Sequence, residues 1–502
     1  MARLPDPLSA AALAYLALPA FAFLLGWLEL PLGLAATGLL AFALFQLATQ
    51  LPPRPLSHNG FAAIFLVALA LLWAALGGAG HLVYANIDWG TRDTVYADLI
   101  LGTWPPSYGL HEGSPLVLRT AMGYFLPPAA AAKVAGIEWA TTLLLAWTAI
   151  GVALFLLLLP LPRQFGLRLV LLALLAIFFS GMDYLAILLT LGHVPIFPFP
   201  LEWWGKWTYS SLTAQLFWAP NHALALWLGA ALFFRHRNDS TLPSLALVLL
   251  PLLLLWTPFA PMGLLPWFIW GTWRLRQSWP DVMRGTTRAQ WAFATILVVV
   301  LGGLFASKGV PADYSTASTP GGAYDTSNSS ALELALSYIQ FTGCEFLILA
   351  ILLIPFVKDL RQEFAIATGL LLAMPLIKFG PSNDWVLRAS TPSLVILMIV
   401  TLHVMGMGFD GRLAIRRLIP VLLVLLIGAI TPSFEFARAM LWRQTQPNYG
   451  VSLVEQQHGF LAPHYIGRLD RAELQTIFRT PGLVPDAAKR QILLPPGFRH
   501  RQ

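Results

Sequence analysis

Apolar residues in this chain run in long uninterrupted blocks rather than in the one-sided stripes of soluble helices. Stretches able to cross about 30 Å of hydrocarbon at about 1.5 Å per residue fall near residues 8–28, 31–51, 60–84, 137–161, 166–191, 211–233, 290–306, 332–357, 363–378, 389–407 and 418–432. A further apolar block, 244–275, is too long for one straight helix and is interrupted by Thr257-Pro258-Phe259-Ala260-Pro261-Met262-Gly263. Each proline there removes a backbone donor and disfavours helix in the residue before it, so the block reads as a hairpin of two short helices. The pattern predicts an all-α polytopic transmembrane helical bundle of about 13 spans, with its termini on opposite sides.

Composition narrows the class. The 502 residues are 57% hydrophobic and only 11% charged, against roughly 25% charged in soluble domains. The 19 Trp, 39 Gly and 38 Pro suit a helical membrane protein, where all three are frequent. Intrinsic disorder and nucleic-acid binding fall away on the same ground, and the lipid bilayer becomes the first partner. The net charge of +7 acts on topology. Fifteen Lys and Arg side chains, among them Arg54, Arg163, Arg235, Arg237, Arg274 and Arg361, fall in one set of connections, and only seven fall in the much longer opposite loops. The basic set is cytoplasmic by the positive-inside bias, which puts the N-terminus in the cytoplasm and the C-terminus outside. Only the hairpin reading of 244–275 keeps the later loops on their charge-preferred sides. The first block continues into the second with no small-residue cleavage site, so it reads as an uncleaved helix. Residues 1–432 form the membrane domain, with outer loops 85–136, 192–210, 307–331 and 379–388. Residues 433–502 form a small extracytoplasmic segment, long enough to cap the outer face and too short for a core of its own. Cys344 is the single cysteine, which excludes an intramolecular disulfide and a cysteine-based metal site.

Ionisable residues are costly in a membrane protein unless they face water or a partner, so their positions are functional hints. They gather outside, in three clusters. The first loop holds Asn86-Ile87-Asp88 and Arg92-Asp93, and apolar positions 95, 99 and 100 predict a short surface helix with Asp88 or Asn86 as its N-cap. Asp88 and Asp93 are candidate bases; capping and a local pair with Arg92 are the alternative. Five residues apart, they do not share a helix face, so in one site Asp88 must precede the helix and Asp93 must lie in its first turns. The second cluster is Leu201-Glu202-Trp203-Trp204-Gly205-Lys206-Trp207-Thr208-Tyr209-Ser210-Ser211. Its three Trp make either an aromatic wall for a sugar ring or an interfacial belt. The helix after it carries Gln215, Asn221 and His222, and Asp183 on the preceding helix points into the same cavity or into a structural pair. The third cluster runs from Lys378 to Ser390. There Asp384 and Arg388, four apart, either pair with each other or present the Arg388 fork to a lipid-linked phosphate. The loop 307–331 reads as a linker or a flexible lid. No nucleotide-binding or hydrolase motif is present. No cofactor is required, and a divalent metal is possible without a clear ligand set.

The stretch Arg92-Asp93-Thr94-Val95-Tyr96-Ala97-Asp98-Leu99-Ile100, followed by Gly102-Thr103-Trp104-Pro105, resembles the acid, surface helix and Trp-Pro break in the first long outer loop of the GT-C class of integral membrane glycosyltransferases. It departs from the class in having Thr94 where many members carry a second acid, and in coming after the third span rather than the first. The resemblance implies an inverting transferase of a bacterial inner membrane that moves a sugar from a polyprenyl-phosphate-linked donor to an extracytoplasmic glycan or lipid acceptor. Asp88 or Asp93 would act as base, Arg388 or Lys206 would hold the phosphate, and Trp203, Trp204 and Trp207 would border the sugar. The blocks Glu202-Trp203-Trp204 to Ser211, Phe217-Trp218-Ala219-Pro220-Asn221-His222 and Asn383-Asp384 to Ser390 also resemble a group of uncharacterised bacterial multispanning proteins. The competing readings are a transporter or flippase for a lipid-linked glycan, favoured by His222 and Glu345 near mid-span, and a noncatalytic subunit of an envelope assembly complex.

Overall fold

The computed structural model describes residues 6–495 and 498, apart from 56–57, 196, 198, 203–205, 277, 310–329, 380–382 and 460. Among the described residues seven helices are long and apolar enough to cross a bilayer: Pro7–Trp27, Leu30–Gln50, Ile137–Leu158, Arg288–Phe305, Ala331–Phe356, Trp385–Phe409 and Ile415–Leu441. Shorter apolar helices, Gly60–Leu76, Leu167–Ile177 and Leu242–Trp256, stand beside them. Peripheral helices expose large apolar side chains, as with Leu32, Leu34, Phe42 and Phe45 on Leu30–Gln50. That surface is compatible with hydrocarbon and not with water, so the chain is an integral membrane protein. At the centre Thr391–Phe409 packs on Pro220–His236, and both are buried along nearly their whole length.

Local chemistry sets the helix boundaries. Pro7–Trp27 opens on Asp6, whose side chain accepts from Ser9 N, with proline in the first turn, where its missing N–H is no loss. The apolar block at 244–275 divides into Leu242–Trp256 and Phe259–Arg274, which pack on each other. The break is shorter than the sequence suggests. Thr257 is extended, its hydroxyl accepts from Phe259 N at 3.3 Å, and helix resumes at once, so Pro261 and Gly263 fall inside the second helix.

Basic residues that the charge bias groups on one side do meet in space. Arg235 pairs with Asp6 at 2.5 Å, Arg54 with Asp239 at 2.9 Å, and Arg237 and Arg274 both reach Glu363, at 2.8 and 2.9 Å.

The expected surface helix is Asp88–Leu101, with a corrected start. Ile87 occupies the cap position and Asp88 is the first helical residue, while the Asn86 side chain accepts from Asp88 N at 3.1 Å. An all-α reading misses the sheet that the chain enters on leaving this helix. Strands β1 (Pro106–His111) and β2 (Ser114–Leu118) form a hairpin through Glu112-Gly113, both at positive φ, as a two-residue type I′ turn requires. The region after 441 completes the sheet: β3 (Ile466–Arg468) pairs antiparallel with β2, and β4 (Gly482–Leu483) pairs parallel with β1.

The strongest tie between this tail and the surface helix is an ion pair between Asp98 and Arg490, both fully buried. Asp98 also accepts from Tyr108 Oη at 2.7 Å and Leu453 N at 3.1 Å. Arg490 donates further to the carbonyls of Pro485, Tyr449 and Val451. Removing one partner of such a pair strands the other charge, at about 3–5 kcal/mol. Arg490→Met is expected to destabilise the fold by about that amount and to free the tail, measured by thermal unfolding in detergent and by the rate of proteolysis after residue 441.

Candidate functional site

One cavity of about 700 Å³ opens at the end of the bundle that carries the surface helix. Its walls combine all three sequence clusters: Asp88 and Arg92 from the first, Glu202 and Lys206 from the second, and Lys378, Asn383 and Arg388 from the third, with His222 from between.

Asp88 and Arg92 lie one helical turn apart and pair at 3.2 Å, with about half of the Asp88 side chain exposed. Arg92 Nε donates to Asn221 Oδ1 at 3.5 Å, so Asn221 orients a wall residue from behind. The helix Pro220–His236 begins there because Ala219 leaves the helical backbone region and Pro220 supplies a preset first turn, which places His222 at the cavity. Arg388 stands on the π-helical turn Trp385–Ala389, which leads into Thr391–Phe409. It pairs with Asp384 at 3.1 Å and donates through Nη1 to His222 Nε2. A histidine accepting at Nε2 is neutral and carries its proton on Nδ1. His222 Nδ1, Arg388 Nε and Arg92 Nη1 are buried without a hydrogen-bond partner. Native structures seldom leave buried donors unpaired, and three on neighbouring side chains suit an anionic oxygen. The walls bring four cationic side chains against two carboxylates. Glu202 accepts from Ser211 N at 2.7 Å, and burial, together with the nearby Asp183 carboxylate, holds its pKa well above the ordinary carboxylate range.

Other expected site residues lie elsewhere. Asp93 is turned away from Asp88 and is buried, accepting from Asn448 N at 2.9 Å and pairing with His81 Nε2 at 3.0 Å. His81 in turn meets Thr445 O at 3.1 Å and accepts from Gln444 at its own carbonyl. Asp93 thus anchors the tail to the first loop. Trp207 is buried and donates to Pro375 O at 2.9 Å, and Tyr209 is buried and donates to Leu371 O at 2.6 Å; neither lines the cavity. Asp183 is fully buried beneath Glu202 and off the wall. Asp384 touches the cavity only through Arg388. Trp203 and Trp204, and most of the loop 307–331, lie outside the described residues.

The aromatic wall instead contains Trp218, whose Nε1 donates to Glu435 Oε2 at 3.1 Å and whose ring lies under the Arg438 guanidinium. No spacing rule marks it in an apolar run. Gln215, also on the wall, is fixed through Ser210 O and Trp227 Nε1 and is legible as an amide in an apolar helix. Among the described residues no three His, Cys, Asp or Glu side chains group as metal ligands. No protein-family model, no curated protein and no solved structure matches this chain.

Burial opposes protonation of His81, but the Asp93 carboxylate outweighs it, and the imidazole titrates above its usual 6.5. A pKa raised on folding contributes stability that is complete below the unfolded value and is lost as pH climbs through the folded one. Proteolysis of the 442–459 segment is therefore expected to be slower near about pH 6 than near about pH 9. His81→Gln is expected to flatten that difference, as measured by cleavage rates at the two pH values.

Proposed function

We propose that the protein is a GT-C-like, inverting glycosyltransferase of a bacterial inner membrane. It would move a sugar from a polyprenyl-phosphate-linked donor to an extracytoplasmic glycan or lipid acceptor. The observation that supports this reading is the convergence of a half-exposed carboxylate, Asp88, and the cationic group Arg92, Lys206, Lys378 and Arg388 on one cavity of about 700 Å³. That volume lies within the range of pockets that enclose a small ligand, about 300–1,000 Å³. In this reading the three shorter apolar helices, together with Pro220–His236, Phe259–Arg274 and Arg361–Ala373, bring the seven long ones to thirteen crossings, with the cavity on the extracytoplasmic side.

The placement of these groups sets the chemistry. Asp88 accepts the acceptor hydroxyl proton as that oxygen bonds to the anomeric carbon, and the bond from that carbon to the phosphate oxygen breaks. The departing polyprenyl phosphate leaves with its charge met by Arg388, Lys206 and Lys378, in the manner of charge-assisted phosphate contacts. Trp218 offers the sugar an aromatic face. Asp93, held by His81 and Asn448, supports the helix that carries Asp88.

A flippase for the same lipid-linked glycan is the second reading, favoured by the buried acids Asp183 and Glu345 behind the cavity. The two separate in purified protein in lipid vesicles, given a panel of polyprenyl-phosphate sugars and a labelled acceptor. Asp88→Asn is expected to lower sugar transfer by about 10²–10⁴-fold with donor binding retained. No transfer by the parent protein, or full transfer by Asp88→Asn, overturns the transferase reading.

A further inference from the structure

Behind the cavity two helices lose their regular form at the same place. Helix Leu167–Ile177 ends, 178–182 is not helical, and Asp183–Leu191 begins. Facing that gap, the span Ala331–Phe356 widens into the π-turn Gly343–Leu347, a form often found at functional sites. Freed backbone groups find partners: Met182 N donates to Cys344 O at 2.9 Å across the two, and Thr213 Oγ1, from the neighbouring helix Leu212–Trp218, donates to Ile177 O at 2.7 Å. A side chain on Gly181 would overlap Glu345, and one on Gly428 would overlap Ser180 O. Small residues therefore let the irregular segments touch.

Two acids meet at this contact. Glu345 is 5% exposed and sits near the middle of its 26-residue span, and Asp183 is fully buried. The backbone bond from Met182 N to Cys344 O brings the next residue of each segment, Asp183 and Glu345, side by side. Two adjacent carboxylates shut away from water cannot both stay ionised without a cation, so the contact favours a proton held on the pair. Ser180 Oγ adds a donor to Asp183 at 3.3 Å. Among the described residues Glu345 has no cationic partner, and its Oε1 is buried with no hydrogen bond. The titratable groups facing the pair are Glu202 from the loop above, Cys344 on the same turn and Tyr209 across the hollow, with Glu435 beyond Glu202. Helix Ile419–Gly428, which packs against the next turn of the span, brings none.

A hollow of about 10 Å³ lies against Glu345 on the side of the large cavity, with Ser180, Tyr209, Ser210 and Ser211 on one part of its wall and apolar side chains such as Phe179 and Phe346 on the rest. Its volume is at the threshold for a single water. Ser210 also lines the large cavity, and Ser211 N is the donor to Glu202.

We propose that Asp183 and Glu345 form a proton-binding site at bilayer depth, loaded from the large cavity by way of Glu202 and the hollow behind Ser210. The site goes beyond sugar transfer and does not depend on it. A proton added there neutralises charge beneath the cavity, and a proton released returns to it.

Infrared difference spectroscopy of the protein in lipid vesicles tests this directly. The expected result is a carboxylic acid C=O band near neutral pH that shifts in D2O, is lost in alkali and falls in the double variant Asp183→Asn/Glu345→Gln to what Glu202 alone contributes. Absence of the band from the parent protein, or its full persistence in the double variant, overturns the proposal. If the double variant does not fold, labelling of the parent protein with a hydrophobic carbodiimide, read by peptide mass spectrometry, decides. Labelling at Asp183 or Glu345 that falls as pH rises supports the site, and labelling that spares both residues at every pH refutes it.

Discussion

Hydrocarbon solvates neither charge nor unpaired backbone, and the arrangement of this protein obeys that constraint. Ion pairs at one end of the bundle join distant connections: Asp6 at the N-terminal helix to Arg235, Arg54 to Asp239, and Arg237 and Arg274 to Glu363. Polar groups at the other end close around a wet cavity, where Arg388 leans on Asp384 and His222, and Arg92 leans on Asp88 and Asn221. Between those ends two buried acids sit where the helices themselves are interrupted. Asp183 and Glu345 lie at a gap and a π-turn, where displaced carbonyls and amides already need partners.

The surface helix Asp88–Leu101 joins the site to its support. Asp88 and Arg92, a turn apart, look into the cavity, while Asp93 and Asp98 lock into the tail through His81, Asn448 and Arg490. The catalytic geometry proposed for Asp88 thus rests on residues that never touch a ligand. A substitution at Asp93 or Asp98 would mimic loss of a base while acting on position.

Much of this was legible in the residues. The long apolar blocks mark the spans, Thr257-Pro258 marks a helix break, and the gathering of charge in three loops marks the cavity that contains Asp88, Glu202 and Arg388. The hidden part depends on rotation and on distant pairing. Spacing shows that Asp88 and Asp93 face apart but not which of them meets the cavity; that is decided by the tail. Trp207 reads as a ligand wall or an interfacial belt beside Glu202, its indole is bonded to Pro375 O, and Trp218 takes the wall position from within an apolar run. The four-stranded sheet escapes because its strands are short and two of them come from beyond residue 460.

That sheet gives the protein a built-in order of assembly. The hairpin β1–β2 is made early in translation, but both its edges stay open until the stretch holding β3 and β4 has left the ribosome and reached the same side of the membrane. Until then the helix with Asp88 lacks its brace, and an unfinished or stalled polypeptide would lodge in the bilayer with its cavity unassembled. Maturation is thereby tied to the arrival of the tail beside the surface helix rather than to insertion of the spans.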